Sequence, residues 1–185
     1  MRVIAGTVRG RKLETPLGMD TRPTTDRIKE TLFNMLQFDL PDCNFLDLFS
    51  GSGQIAIEAL SRGAKKAVLV ENDKNAAGII QANLEKTGFT EQASLIKQDV
   101  FVALQTLEYK DKFDFIFMDP PYNQELEKRV LEYLTMSSLV DSDTMIIFEA
   151  SLETDISYLD QLGYDLIKDK RYKTNKHIFV QRKAQ

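Results

Sequence analysis

The chain has one cysteine, one histidine and no tryptophan in 185 residues. A single cysteine, Cys43, excludes an internal disulfide and any multi-cysteine zinc site. With His177 as the only histidine, a Ser-His-Asp or Cys-His enzyme would have to use that one residue. No apolar run approaches the ~18 residues expected of a spanning helix. Met1–Leu13 carries four cations and no apolar core, so it does not read as a secretory signal. Together these absences point to a soluble protein in a reducing, cytoplasmic setting. Hydrophobic residues make up 43% and charged residues 28%, which excludes wholesale disorder. The length suits one domain with a small appendage.

The net charge of −4 hides a distribution. Residues 1–30 carry a net +3, residues 166–185 a net +6, and the stretch between them a net −13. An acidic body with two basic ends suggests a local polyanion-binding face as readily as two solvated tails.

Residues 1–20 read as a small hairpin or irregular extension, with Gly6, Gly10 and Gly18 between short alternating stretches. Thr24 or Thr25 then caps a helix whose apolar stripe is Ile28, Leu32, Met35 and Leu36. From residue 44 strands and helices alternate. Strands are expected over 45–49, 67–71, 93–97, 113–118, 144–148, 164–168 and 176–181. Helices are expected over 54–61, 73–86, 100–107, 125–136 and 152–162. Apolar strands between amphipathic helices imply an α/β fold with a doubly wound, mostly parallel sheet of seven strands. The last two strands have no helix between them and should form an antiparallel edge hairpin, with His177 in an edge strand as a structural or surface residue. Cys43 reads as a buried small hydrophobe before the first strand. The chain is expected to divide into an N-terminal extension and helix over 1–40 and an α/β domain over 41–185.

In such a sheet, ligands bind beyond the carboxyl ends of the strands. Gly51-Ser52-Gly53-Gln54-Ile55-Ala56 satisfies G-x-G-x-x-G/A between a strand and a helix, and Glu71 closes the next strand. Alone, this pattern fits an NAD dehydrogenase as well as a methyltransferase. Asp47 separates the two. It sits inside the first strand, where a carboxylate is sensible if the ligand brings an ammonium group, as the methionine part of S-adenosylmethionine does. The chain also lacks an obvious hydride-transfer kit, with no tryptophan and its single histidine near the end. Asp99, after the third strand, can accept from an adenine amino group, cap the next helix, or both. Asn72 and Phe49 flank the same loops, and Glu149 ends the fifth strand.

Asp119-Pro120-Pro121-Tyr122 follows the apolar strand 113–118. Two prolines hold the backbone extended and remove two N–H donors. Asp119 can accept from an exocyclic amine, and Tyr122 offers a ring on which a planar base stacks. Such a site works mainly by positioning a weakly nucleophilic nitrogen.

These motifs resemble the class I amino-methyltransferases, a Rossmann-like family. More closely, the chain resembles the bacterial small-subunit (16S) ribosomal RNA guanine-N2 methyltransferases of the RsmD type, along essentially its whole length. The blocks that carry it are Met1–Gly6, Arg9–Leu13, Arg22–Arg27, Leu46–Gly53, Glu58–Ala64 and Met118–Tyr122; the methyltransferase motifs are shared by many families, and the N-terminal blocks and Glu58–Ala64 are the specific part. The resemblance implies S-adenosylmethionine at Asp47, Phe49, Gly51, Ser52, Gly53, Glu71, Asn72, Asp99 and Asp119. It implies Asp119, Pro120 and Tyr122 as the catalytic group around the target guanine. It also implies a ribosomal RNA loop in a partly assembled 30S subunit as partner, contacted by Arg2, Arg9, Arg11, Lys12, Arg22 and Arg27. No metal site is evident, and the absence of a long apolar seam suggests a monomer. One stretch departs from the family: Tyr172-Lys173-Thr174-Asn175 has Lys where such proteins often carry Gly. A DNA adenine-N6 or protein glutamine methyltransferase would use the same Pro-Pro site. Asp at 119 and the N-terminal blocks favour RNA guanine. A non-catalytic RNA-binding module is disfavoured, since no constraint of folding requires Asp47, Glu71 and Asp119 together.

Overall fold

The computed structural model describes residues 1–16 and 25–184 and comprises two compact units, Met1–Val100 and Phe101–Gln185. Its seven strands form one sheet of order β3-β2-β1-β4-β5-β7-β6.

In the first unit, α1 (Asp26–Leu36) precedes β1 (Asn44–Asp47), α2 (Gln54–Ser61), β2 (Lys66–Val70), α3 (Lys74–Thr87) and β3 (Ala93–Ile96). Thr25 caps α1, its hydroxyl accepting from the Ile28 amide at 3.3 Å. The three strands are parallel, with Phe45 opposite Ala67 and Val68 opposite Ser94. Phe45, Leu46, Ala67 and Leu69 are fully buried, as the apolar runs require. Cys43 is buried immediately before β1. The buried stripe of α1 is Lys29, Leu32, Phe33 and Leu36, while Ile28 and Met35 are only half-buried. The expected stripe is therefore rotated, because a lysine occupies its first buried position.

That lysine anchors the N-terminal segment. An antiparallel bridge joins Arg2 and Lys12 in the hairpin that the sequence suggests. Glu58 of α2, fully buried, accepts from the amides of Ile4 at 2.8 Å and Ala5 at 3.0 Å and from Arg62 Nε at 2.8 Å. Lys29 Nζ lies 3.7 Å from Glu58 and donates to the Arg2 carbonyl at 2.6 Å. Burial pulls the Lys29 ammonium below its ordinary range, against the pull of Glu58. Gly6 lies against the end of α2 with φ +84°, where a Cβ would stand 1.8 Å from the Ser61 carbonyl oxygen. No other residue fits there.

In the second unit, α4 (Val100–Leu107, beginning at the division) is followed by β4 (Phe115–Met118), α5 (Leu126–Leu134), β5 (Met145–Ser151), β6 (Tyr164–Arg171) and β7 (Asn175–Arg182). β4 and β5 are parallel; β7 is antiparallel to both β5 and β6. The edge hairpin is thus as expected, but His177 is not on its outer strand. β7 lies between β5 and β6, and His177 is fully buried.

The helix expected over 152–162 does not form; the segment is a series of turns. Polar side chains there satisfy the backbone locally. The Ser157 amide and hydroxyl both donate to Asp155, at 2.9 and 2.8 Å, and the Ser151 and Thr154 hydroxyls meet at 3.0 Å. Such bonds compete with helical ones. Lys173, where the family pattern has Gly, is not among the residues of positive φ, so the β6–β7 turn accepts a side chain without strain.

Candidate active site

In the first unit, the carboxyl ends of β1, β2 and β3 carry the expected cofactor residues. The loop after β1 turns through Gly51 (φ +56°) and Gly53 (φ +80°) into α2. At Gly53 a Cβ would press on Leu69 Cδ2 at 3.2 Å, whereas at Gly51 it would meet nothing within 4 Å. The loop therefore packs closely on one side and is open on the other, as a ligand cradle must be. Glu71, at the end of β2, fixes the loop from below. Its carboxylate accepts from the Gly51 amide at 2.9 Å and the Asp73 amide at 2.8 Å. Asn72 and Asp99 are exposed on the following loops, and Phe49 is half-exposed. Asp73 caps α3 by accepting from the Ala76 amide at 2.8 Å.

Asp47 ends β1 at 1% exposure, and neither of its carboxylate oxygens has a hydrogen-bond partner. The Ser50 hydroxyl donates instead to the Asp47 main-chain carbonyl at 2.9 Å and accepts from the Val70 amide at 3.1 Å. Burial pushes the carboxyl from 3.8 up to about 7, with the nearby Ala56 amide pulling the other way. An orphaned buried carboxyl is costly. A cationic ligand head relieves that cost, which fits the donor set to a ligand ammonium.

The sequence did not expose the role of Asn83. Fully buried on α3, it donates to the Ser52 carbonyl at 3.0 Å and pairs with the Glu14 main chain, at 2.8 and 3.0 Å. Ser52 Oγ also donates to Met1 Sδ at 3.2 Å. The N-terminal segment and the glycine loop are thus tied together. Nothing in the spacing of α3 marks Asn83, and only its place on the buried helix face could have raised the question.

Of the expected polyanion contacts, Arg9, Arg11 and Lys12 are exposed on the hairpin and Arg27 on α1. Arg2 is exposed but engaged, its Nε donating to Asp26 at 2.8 Å. Arg22 lies outside the described residues.

In the second unit, Asp119-Pro120-Pro121-Tyr122 leaves the carboxyl end of β4. Asp119 and Tyr122 are half-exposed and Pro120 is buried. The Tyr122 hydroxyl donates to Glu149 Oε1 at 2.8 Å. Glu149 Oε2 lies 3.2 Å from His177 Nε2, and His177 Nδ1 lies 3.3 Å from the Tyr172 hydroxyl. Burial works to raise the Glu149 carboxyl, but the bonds from His177 and Tyr122 outweigh it and hold the group below its ordinary range. In the sequence, Glu149 stands out only as a strand end and His177 reads as a structural or surface residue. Their pairing follows from strand register, which a linear pattern does not show.

Of the seven cations in 166–185, several are used internally. Lys176 is buried and donates to the Thr154 carbonyl at 2.7 Å, Arg182 caps the carbonyls of Thr135, Ser137 and Val140, and Lys183 pairs with Asp160. The basic end is therefore much less of a polyanion face than its charge suggests. Among the described residues, no group of three or more His, Cys, Asp or Glu could hold a metal ion, and no helix is long and apolar enough to cross a membrane.

Known proteins resemble the chain across nearly its whole length. The profile of the family called conserved hypothetical protein 95 matches residues 1–181. The ribosomal RNA small subunit methyltransferase D of Haemophilus influenzae is 36% identical over 171 residues, covering 92% of this chain and 88% of that protein. Its namesake from Escherichia coli K12 is 35% identical over 156 residues, covering 83% and 76%. The solved structure of yhhF, a proposed methyltransferase from Escherichia coli, superposes with a TM-score of 0.85 at 31% identity, covering 100% of this chain and 99% of that one. By sequence and by fold, the chain belongs to the conserved hypothetical protein 95 family, the family of the ribosomal RNA small subunit methyltransferases D.

Proposed function

We propose that the protein transfers a methyl group from S-adenosylmethionine to the exocyclic N2 of a guanine in small-subunit ribosomal RNA during ribosome assembly. The observation that carries this reading is Asp119-Pro120-Pro121-Tyr122 at the end of β4, in a chain whose relatives are named for methylating that RNA.

Bound S-adenosylmethionine supplies an electrophilic methyl on a sulfonium. Asp47 balances the ammonium of its methionine part, the Gly51–Gly53 loop admits its backbone-close approach, Glu71 accepts its ribose hydroxyls, and Asp99 accepts its adenine amine. Phe49, Ser52 and Asn72 line the same loops. On the substrate side, Asp119 accepts an N–H of the guanine amine and fixes the orientation of the nitrogen. The proton lost from that nitrogen passes to Asp119. Pro120 and Pro121 fix the main chain at that point, and Tyr122 stacks on the base, which has been splayed out of an RNA loop. The residues 1–40 form the RNA-binding extension and 41–185 the methyltransferase domain; the substrate is a partly assembled subunit, and the protein acts as a monomer.

The test is methyl transfer from labelled S-adenosylmethionine to small subunits taken from cells lacking this protein. Digestion is expected to give labelled N2-methylguanosine; label on adenine or on protein would overturn the assignment.

The reading also sets a pH dependence. A carboxyl raised to about 7 is neutral in the free protein below that pH, so it must lose a proton before it can balance an ammonium. The ligand's own α-ammonium is lost above about 8. Cofactor affinity is therefore expected to rise from pH ~6 to a maximum between about 7 and 8, then fall. Calorimetric titration across this range checks it, and Asp47→Asn should weaken binding and flatten the acid limb. The same group adds stability to the free protein at acid pH that is lost as pH rises from 3.8 through about 7.

Arg9, Arg11, Lys12 and Arg27 contact phosphates, with Arg2 and Arg22 beside them. Arg9→Ala with Arg11→Ala is expected to weaken RNA binding and lower its salt slope by about 0.7 per lost phosphate contact. Cofactor affinity should not change. An unaltered slope in a filter-binding salt series would remove these residues from the interface.

A further inference from the structure

We infer that Glu149 and His177 are positioning residues for Tyr122: the buried pair holds the tyrosine ring in the orientation that receives the target base. The inference rests on the reading of Asp119-Pro120-Pro121-Tyr122 as the base site.

Tyr122 stands on a loop, not on a regular element, and the chain bends sharply after it through positive φ at Asn123 (+62°) and Glu125 (+53°). The anchor is at the far end of the side chain, where the hydroxyl donates to Glu149 Oε1 at 2.8 Å. Glu149 is itself fixed. It is 7% exposed on β5, and its register partner across the antiparallel pair is His177 on β7. His177 is fully buried, 3.2 Å from Glu149 Oε2, with the Phe117 ring edge-on at 6.0 Å and the Tyr172 ring edge-on at 5.1 Å.

Chemistry sets the direction of the chain of bonds. An ionised carboxylate only accepts, so His177 donates from Nε2 and Tyr122 donates from its hydroxyl. The Tyr172 hydroxyl lies 3.3 Å from the remaining ring nitrogen, Nδ1. The Tyr122 hydroxyl thus donates to a buried acceptor that the strand register holds in place. For packing alone, an apolar pair of the same size would serve as well or better than a buried acid and imidazole. What the polar pair adds is a fixed acceptor at the protein's substrate-facing edge, and Tyr122 is the group that uses it.

Three variants of the full chain test this: Y122F, E149L and their combination. Each single substitution breaks the same bond. Each is expected to slow single-turnover transfer to small subunits about tenfold, with S-adenosylmethionine affinity unchanged. The combination should be no slower than the worse single variant. Losses that multiply, or Y122F at the unaltered rate, would overturn the inference. A second measurement needs no activity. With 3-fluorotyrosine incorporated, the Tyr122 fluorine line is identified by its loss in Y122F. It should shift and narrow in E149L but stay in place in E149Q, which keeps an acceptor. A line unmoved in E149L would overturn the inference in any case. Absence of N2-methylguanosine with the unaltered chain would instead discard the functional reading, and the fluorine line would still decide this one.

Discussion

Replacing Asp119 by alanine is expected to lower methyl transfer about 10²–10⁴-fold, the range for loss of a positioned proton acceptor. Cofactor binding should persist, because Asp47, the glycine loop and Glu71 are untouched. The size of the effect follows from the substrate. The lone pair of a guanine amine is delocalised into the ring, so the nitrogen attacks only when it is aimed and its N–H bonds are held. Asp119→Asn keeps an acceptor oxygen without the charge and should fall between the two. Single-turnover rates together with calorimetric cofactor titration measure both halves of the prediction. Full activity in the alanine variant would mean that Asp119 does not accept the amine.

The second large effect lies far from the chemistry. Glu58→Ala removes the buried carboxylate paired with Lys29 and leaves the Ile4 and Ala5 amides without their acceptor. Breaking a buried pair by deleting one partner costs about 3–5 kcal/mol. For a chain of this length, that corresponds to a fall in Tm of roughly 6–20 °C. Lys29→Met added to Glu58→Ala should recover part of the loss, since the Lys29 ammonium is then no longer buried without its anion, while Arg62 still lacks its carboxylate. Denaturant unfolding of the three proteins checks this; a loss below about 1 kcal/mol in the single variant would show that water reaches the cluster. Because Glu58 holds the hairpin that carries Arg9 and Arg11, RNA affinity should fall with stability.

What could be read from the sequence was local. β4 is an uninterrupted apolar run and β2 is one after Lys66, Gly88 stops α3 and Asp73 starts it, and the two glycines before α2 mark a cradle. Each signal lies within a few residues of what it determines. The failures have the opposite character. The segment 152–162 has helical spacing, but Asp155, Ser157 and Thr154 bond their own neighbourhood, which spacing does not register. His177 read as an edge residue because the order of the last two strands cannot be inferred from their order in the chain; β7 pairs inward with β5. Glu58 and Lys29 are separated by 29 positions, and a family-specific block gave no hint that its glutamate grips two main-chain amides. The basic C-terminus is a similar case, since charge counts do not distinguish Lys173 from a lysine that caps a carbonyl, as Lys176 does.

The two open margins of the sheet bear on how the protein behaves when concentrated. A bare strand edge invites pairing with the same edge of another copy, and so the growth of insoluble aggregates. One margin, β3, is only four residues long and offers little to template on. The other, β6, is eight residues long and leaves Leu166 and Ile167 about half exposed, which would be hazardous alone. Its register breaks between Leu166 and Lys168, and Lys168, Lys170 and Arg171 follow, with Asp169 between them paired to Arg171. A copy approaching that edge would meet a kinked ladder and charges of its own sign. Neutralising those three side chains should leave the fold intact and lower the solubility limit of the purified protein.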